Sequence, residues 1–225
     1  MKVLHPRWSH LRAVLFDLDG TLIDSAQDLA RAANAMRADR GMAPLPFHQY
    51  RPHGGSGARG MLAQAFGLAP GVATYDEFKR EFLDRYEGLM FDSTLPFDGV
   101  QAELDGLSGA GLRWGIVTNK AERFALPLVT ALGLGAGTVV GGDTTAHTKP
   151  HPAPLLEAAR RLGVAPGECL YVGDDERDVI AGRAAGMVTA VAGWGYLGAD
   201  ARPNLWGADI ELALPGELLK RLGLA

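Results

Sequence analysis

The sequence predicts an α/β protein in which a parallel sheet, covered by helices on both faces, is interrupted early by a helical insertion. Four short apolar runs, at residues 13–16, 114–117, 169–172 and 188–192, each end in polar or glycine-rich residues, as buried strands do. Helical patterns lie between these runs, and strands alternating with helices build a parallel sheet with both faces covered. The alternation breaks between about residues 22 and 96, where every pattern is helical. At 225 residues the chain exceeds one typical domain of about 150. A core with an inserted subdomain accounts for the surplus.

The elements follow in order. Ala13-Val14-Leu15-Phe16 leads directly into Asp17-Leu18-Asp19-Gly20-Thr21. In the insertion, Ala26, Leu29, Ala30, Ala33 and Met36 form one apolar stripe, and Tyr75, Phe78, Phe82, Tyr86 and Leu89 form another. Thr74 and Glu77 have the spacing of a capping box opening the second. Pro44, Pro46, Pro52 and the glycine-rich residues 53–57 punctuate the middle, and the core resumes near Phe97. The second run ends in Thr118-Asn119-Lys120, and Thr138-Val139-Val140 is a weaker fifth strand. Residues 154–162 read as a helix, with Leu155, Ala158, Ala159 and Leu162 on one face. The third run ends in Gly173-Asp174-Asp175-Glu176-Arg177-Asp178.

A hydrophobic fraction of 47% with 21% charged residues excludes a disordered chain, a coiled coil and a collagen-like repeat. The net charge of -4 gives no general attraction to nucleic acid or anionic lipid, so any anion site must be local. Cys169, without a second cysteine, cannot form an internal disulfide, and the cytoplasm is the expected compartment. Its apolar neighbours mark it as a core residue. The first ten residues contain no continuous apolar segment, and no stretch approaches the roughly 18 apolar residues of a spanning helix. No membrane partner is expected, and the chain is expected as a monomer or homodimer.

Ligands of open parallel sheets bind beyond the carboxyl ends of the strands, which points Asp17 and Asp19 at a cleft. Thr118 and Asn119 offer a hydroxyl, an amide and backbone N–H groups suited to phosphate oxygens, and either can also cap the following helix. Pro150 disfavours helix at Lys149 and holds its ammonium on an extended loop. Asp174 ends a strand and Asp178 lies four residues on. Carboxylates gathered at one sheet end repel unless a cation neutralises them, and an all-oxygen donor set selects a hard ion, Mg²⁺. Mg²⁺ and a lysine together neutralise a transferring phosphoryl group.

These four groups, in this order and each after a strand, resemble the motifs of the haloacid dehalogenase superfamily, and Asp17-Leu18-Asp19-Gly20-Thr21-Leu22 resembles the phosphatase form of the first. The similarity spans nearly the whole chain. It implies a three-layer Rossmann-like core, residues 1–21 and 96–225, with a helical C1-type cap over residues 22–95. Thr118-Asn119-Lys120, Gly141-Gly142-Asp143-Thr144 and residues 149–155 are similar to bacterial phosphoglycolate phosphatases. Residues 55–61 and 203–209 are more similar to N-acetylmuramic acid 6-phosphate phosphatases.

The resemblance implies a phosphoric monoester hydrolase acting on a small phosphorylated carboxylic acid. Asp17 would be the nucleophile and Asp19 the general acid and base. Mg²⁺ would be held by the Asp17 carboxylate, the Asp19 carbonyl, Asp174 and Asp178, while Asp175 stands where many relatives have serine or another small polar residue. Thr118, the Asn119 backbone and Lys149 would bind phosphoryl oxygens. Linkers at residues 21–25 and 92–97 would act as hinges. Independently of the resemblance, Arg51 and Arg59, flanking Gly55-Ser56-Gly57, are expected to face the cleft and read a second anionic group. A phosphosugar mutase needs a second phosphate cradle that the sequence does not present. A nucleotide-binding module needs a Gly-x-Gly-x-x-Gly turn or P-loop, and Asp-Leu-Asp-Gly-Thr stands in its place.

Overall fold

The computed structural model describes residues 4–198 and 201–224. Residues 1–3, part of the opening stretch discussed above, lie outside them. Strands β1 (Ala13–Phe16), β4 (Arg113–Val117), β5 (Val139–Val140), β6 (Cys169–Gly173), β7 (Val188–Ala192) and β8 (Ile210–Leu212) form one sheet in the order β5-β4-β1-β6-β7-β8. Every pairing in it is parallel. The chain moves outward from β1 to β4 and β5, then returns to β6 on the other side of β1. That reversal opens a crevice at the carboxyl ends of the central strands.

Successive side chains of a strand point to opposite faces, and β1 divides accordingly. Val14 and Phe16 join the larger apolar cluster, which continues into α5 (Val100–Gly109), α6 (Glu122–Ala131) and α9 (Glu217–Leu222). Ala13 and Leu15 join the smaller one, with α7 (Ala153–Leu162) and α8 (Glu176–Ala184). The sheet is thus the middle of three layers, the α/β architecture predicted from the alternation. Cys169 is fully buried, and burial pushes its thiol up to about 11, as befits packing. Among the described residues no helix is long and apolar enough to cross a membrane.

Between β1 and α5 the chain builds α1 (Ala26–Asp39), α2 (Phe47–Tyr50), α3 (Gly57–Phe66) and α4 (Tyr75–Leu89). The first stripe is buried throughout, and Tyr75, Phe82 and Tyr86 of the second are buried with it. The expectation of helix alone needs one correction. Ile23–Asp24 (β2) and Leu95–Pro96 (β3) pair as a short antiparallel ribbon where the chain leaves the core and comes back. Two-residue strands are too short to show a period.

Two capping expectations also fail. Thr74 precedes α4, but its backbone is already helical (φ -88°, ψ -4°) and its side chain makes no cap bond, whereas a side-chain cap wants an extended backbone. The helix after Thr118 and Asn119 begins only at Glu122, with Ala121 at its N-cap. Glu122 N–H donates instead to Asp143 Oδ1 at 2.8 Å.

Candidate active site

The strand ends open on a cavity of about 510 Å³, walled on its far side by α1, the turn before α3, and α4. Of the residues expected to bind substrate, Asp17, Asp19, Thr118, Asn119, Lys149, Asp178, Gly55, Ser56, Gly57 and Arg59 all line it. Asp174 lies just behind, with an oxygen close to those of Asp17 and Asp178. Arg51 does not reach the cavity. Its guanidinium is turned to the core, donating to Gly195 O at 3.0 Å and Trp194 O at 3.3 Å. A sequence window cannot show which of two arginines on one turn finds carbonyls nearer than solvent.

The first motif is shaped by its glycine. Gly20 has φ +88°, open to glycine at no steric cost. A Cβ there would stand 2.3 Å from Asp174 Oδ2. The turn brings the first and last motifs into contact, and it is closed by Leu22 and Ile23 N–H groups donating to Leu18 O at 2.9 and 3.0 Å.

Lys149 is the charge around which the centre is built. Its ammonium lies 2.9 Å from Asp17 Oδ1 and 2.7 Å from Asp178 Oδ1. It also donates to Tyr171 Oη at 2.8 Å and Val117 O at 3.1 Å. Burial alone would lower its proton affinity, but Asp17 and Asp178 outweigh this and hold it above the ordinary lysine value. Asn119 fixes the backbone beneath it, accepting from Lys149 N–H at 2.9 Å and donating to Lys149 O at 3.0 Å. The Asn119 amide is therefore spent on the lysine loop. Lys149–Pro150 is a cis peptide. Thr118 is buried, and its hydroxyl oxygen accepts from Lys120 N–H at 3.1 Å.

Asp17, Asp174 and Asp178 place one carboxylate oxygen each within 4.8 Å of one another, all three buried. Burial raises Asp17 to about 6, with Lys149 pulling against it. Burial and the neighbouring Asp17 and Asp178 push Asp174 well above the carboxylate range. Three buried carboxylates sharing one lysine are under-neutralised, and an all-oxygen set of this kind fits a hard divalent cation. Asp175 lines the same cavity but stands outside this cluster. It caps α8 by accepting from Arg177 N–H at 2.9 Å and pairs with the Arg177 guanidinium.

Asp19 accepts a hydrogen bond from Ser25 Oγ, and the Lys120 ammonium lies 2.8 Å from its Oδ1. Lys120 also stands 4.8 Å over the ring of Tyr86. Lys120, Tyr171 and Arg177 were not singled out from the sequence. Lys120 alone carried a signal, following Thr118-Asn119 at a strand end. Tyr171 sits inside an apolar run, where nothing local shows that its phenol faces Lys149.

The family model for haloacid dehalogenase-like hydrolases matches residues 11–186. The chain is 48% identical over 209 residues to a phosphoglycolate phosphatase of Xanthomonas campestris pv. campestris, covering 92% of this chain and 94% of that one. It is 42% identical over 217 residues to an N-acetylmuramic acid 6-phosphate phosphatase of Pseudomonas aeruginosa, covering 96% of each. Among solved structures, a predicted phosphoglycolate phosphatase from Haemophilus somnus superposes with a TM-score of 0.82 at 26% identity, over 94% of this chain and 97% of that one.

Proposed function

This chain belongs to the haloacid dehalogenase-like hydrolase family and is a phosphatase of that type, and from that premise we propose that it hydrolyses a small phosphorylated carboxylic acid, in the manner of phosphoglycolate phosphatases, through an aspartyl-phosphate. The observation that carries this is the convergence on one cavity of Asp17 and Asp19 after β1, Thr118 after β4 and Lys149 after β5.

Asp17 has one oxygen held by Leu18 N–H at 2.7 Å and by Lys149, which fixes its carboxylate for attack on phosphorus. Its oxygen forms the new P–O bond as the ester P–O bond breaks. Asp19 gives a proton to the departing alkoxide. It then takes one from water, which attacks the aspartyl-phosphate, frees phosphate and restores Asp17. Thr118, the Asn119 backbone and Lys149 bind phosphoryl oxygens. Mg²⁺, held by Asp17, Asp174, Asp178 and the Asp19 carbonyl, would supply charge neutralisation at the phosphoryl group when bound. Residues 22–95 act as a cap on a core of residues 1–21 and 96–225, and its closure excludes water. Arg59, in the first turn of α3, reads the substrate carboxylate without Arg51.

Cavity size favours a second reading. About 510 Å³ is in the range of sites for sizeable organic ligands, more than a two-carbon acid phosphate fills. Leu29, Phe82, Leu83 and Tyr86 give it an apolar wall against which a sugar ring can pack. N-acetylmuramic acid 6-phosphate, which carries both ring and carboxylate, fits that description.

A parallel kcat/KM comparison of 2-phosphoglycolate, N-acetylmuramic acid 6-phosphate and glucose 6-phosphate decides between the readings. A preference of about a hundredfold, or about 2.7 kcal/mol of transition-state binding, for either carboxylated ester supports the acid-substrate proposal and names the substrate. Equal turnover of all three overturns it.

A further inference from the structure

Tyr196 follows β7 in the loop Gly193-Trp194-Gly195-Tyr196 and is 5% exposed. Its two polar groups serve different places. The backbone N–H donates to Asp174 Oδ2 at 2.7 Å, the carboxylate at the back of the acidic cluster. The phenol oxygen accepts from Ser25 N–H at 2.7 Å and Ala26 N–H at 3.1 Å, and its proton faces Asp24 Oδ1 at 2.9 Å. Asp24 ends β2, and Ser25 and Ala26 open α1, so these are the residues on which the chain leaves the core. Ser25 makes no side-chain cap bond to α1, because its hydroxyl donates to Asp19. A phenol from a distant loop satisfies the Ser25 N–H in its place and shares the Ala26 N–H with Asp24 Oδ1, 3.2 Å away.

The helical layer grips the same loop. Arg51 lies 5.3 Å over the Tyr196 ring and clamps the carbonyls of Trp194 and Gly195. Gly54 lies against the ring so closely that a Cβ would come within 2.6 Å of it. Trp194 Nε1 donates to Thr21 O at 3.0 Å, and the Thr21 hydroxyl donates to Asp174 Oδ1 at 3.2 Å. Both Asp174 oxygens are therefore held by groups that also hold the exit of the insertion.

We infer that Tyr196 is a positioning residue that couples the seating of the helical insertion to the orientation of Asp174, so that filling the acidic cluster tightens the junction at Asp24, Ser25 and Ala26. This rests on the proposed cation role of Asp174. Coupling between two sites is reciprocal: if the cation orders the junction, the junction must strengthen cation binding. Tyr196→Phe separates the two, because it removes the phenol oxygen and keeps both the ring and the backbone N–H to Asp174.

The test follows amide hydrogen exchange at Ser25 and Ala26 in the full-length protein, with and without Mg²⁺, beside calorimetric titration of Mg²⁺. In the wild type Mg²⁺ slows exchange at both amides. In Tyr196→Phe, exchange without Mg²⁺ is faster by on the order of tenfold, Mg²⁺ no longer slows it, and Mg²⁺ binds at least about fivefold more weakly. Mg²⁺ slowing that is as large in the variant as in the wild type overturns the coupling, even if exchange is faster overall, and leaves the cation role standing. Absence of Mg²⁺ binding to the wild type overturns the cation role and the coupling together. Should Tyr196→Phe lose its native circular dichroism, Arg51→Gln, which frees the loop carbonyls from the helical side, takes its place. Undiminished Mg²⁺ slowing in that variant overturns the inference.

Discussion

Asp28 and Asp174 are both shielded from water, yet their surroundings differ in kind. Asp28, on α1, accepts through Oδ2 from Ser93 N–H, Thr94 N–H and the Thr94 hydroxyl at 3.0, 2.9 and 2.8 Å. Arg31 approaches its other oxygen at 3.7 Å. Through Oδ2 it braces α1 against the segment returning to the core, while Oδ1 makes no hydrogen bond among the described residues and has Arg31 as its nearest charge. Asp174 also accepts from donors, Thr21 on Oδ1 and Tyr196 N–H on Oδ2, but it has Asp17 and Asp178 beside it, and the two push its proton affinity up on top of burial. A buried carboxylate whose charged neighbour is an arginine is a fastener, and one crowded by other carboxylates is poised for a cation.

Substitutions can break that contrast. The largest effect belongs to Asp17→Asn, which removes the proposed nucleophile while keeping the shape: hydrolysis of p-nitrophenyl phosphate should fall at least about a thousandfold with an unchanged circular dichroism spectrum. Retained turnover would exclude Asp17 as nucleophile. Lys149→Met comes next, because it strands Asp17 and Asp178 without their counter-charge. Urea unfolding without divalent ion should show a loss of about 3–5 kcal/mol, and a loss under 1 kcal/mol would show that the acidic cluster does not depend on the lysine.

Asp28→Asn should cost about 1–2 kcal/mol in the same unfolding measurement, with far less loss of turnover than Asp17→Asn. A loss of turnover as severe as that of Asp17→Asn would erase the distinction between fastener and active carboxylate.

Glu103 is another buried carboxyl, which accepts from Gly216 N–H and is raised by burial to about 7. A folded value above the unfolded one, about 4.5, means that folding takes up a proton between these values. Stability from this group is full below pH 4.5 and falls as pH rises towards 7. Glu103→Gln should remove this slope, gaining relative to the wild type by roughly 2 kcal/mol between pH 5 and pH 8. Parallel pH curves for the two proteins would refute the shift.

Much of this was legible in the chain. Each core strand predicted from an apolar run is present, because a strand buried on both faces has no choice but to be apolar. β8 (Ile210–Leu212) was not read, since its short edge alternates buried and exposed residues and carries no run. That Asp17, Asp19, Thr118, Lys149, Asp174 and Asp178 gather at one end of the sheet was legible, because topology puts strand ends together. Arg51 was misplaced and Tyr196 passed over for the same reason in reverse. Both act through neighbours more than a hundred positions away, and no local pattern encodes such a partner.

The sequence by itself determined the layered architecture, the helical insertion and the identity of the strand-end groups, since periodicity and residue chemistry are properties of short segments. Tertiary structure alone decided which charges pair. It set Lys120 on Asp19, gave Asp175 to Arg177, turned Arg51 from the cavity to the loop of Tyr196, and crowded Asp174 between two other carboxylates. Electrostatic energies depend on distance and burial, and both exist only once the chain has folded.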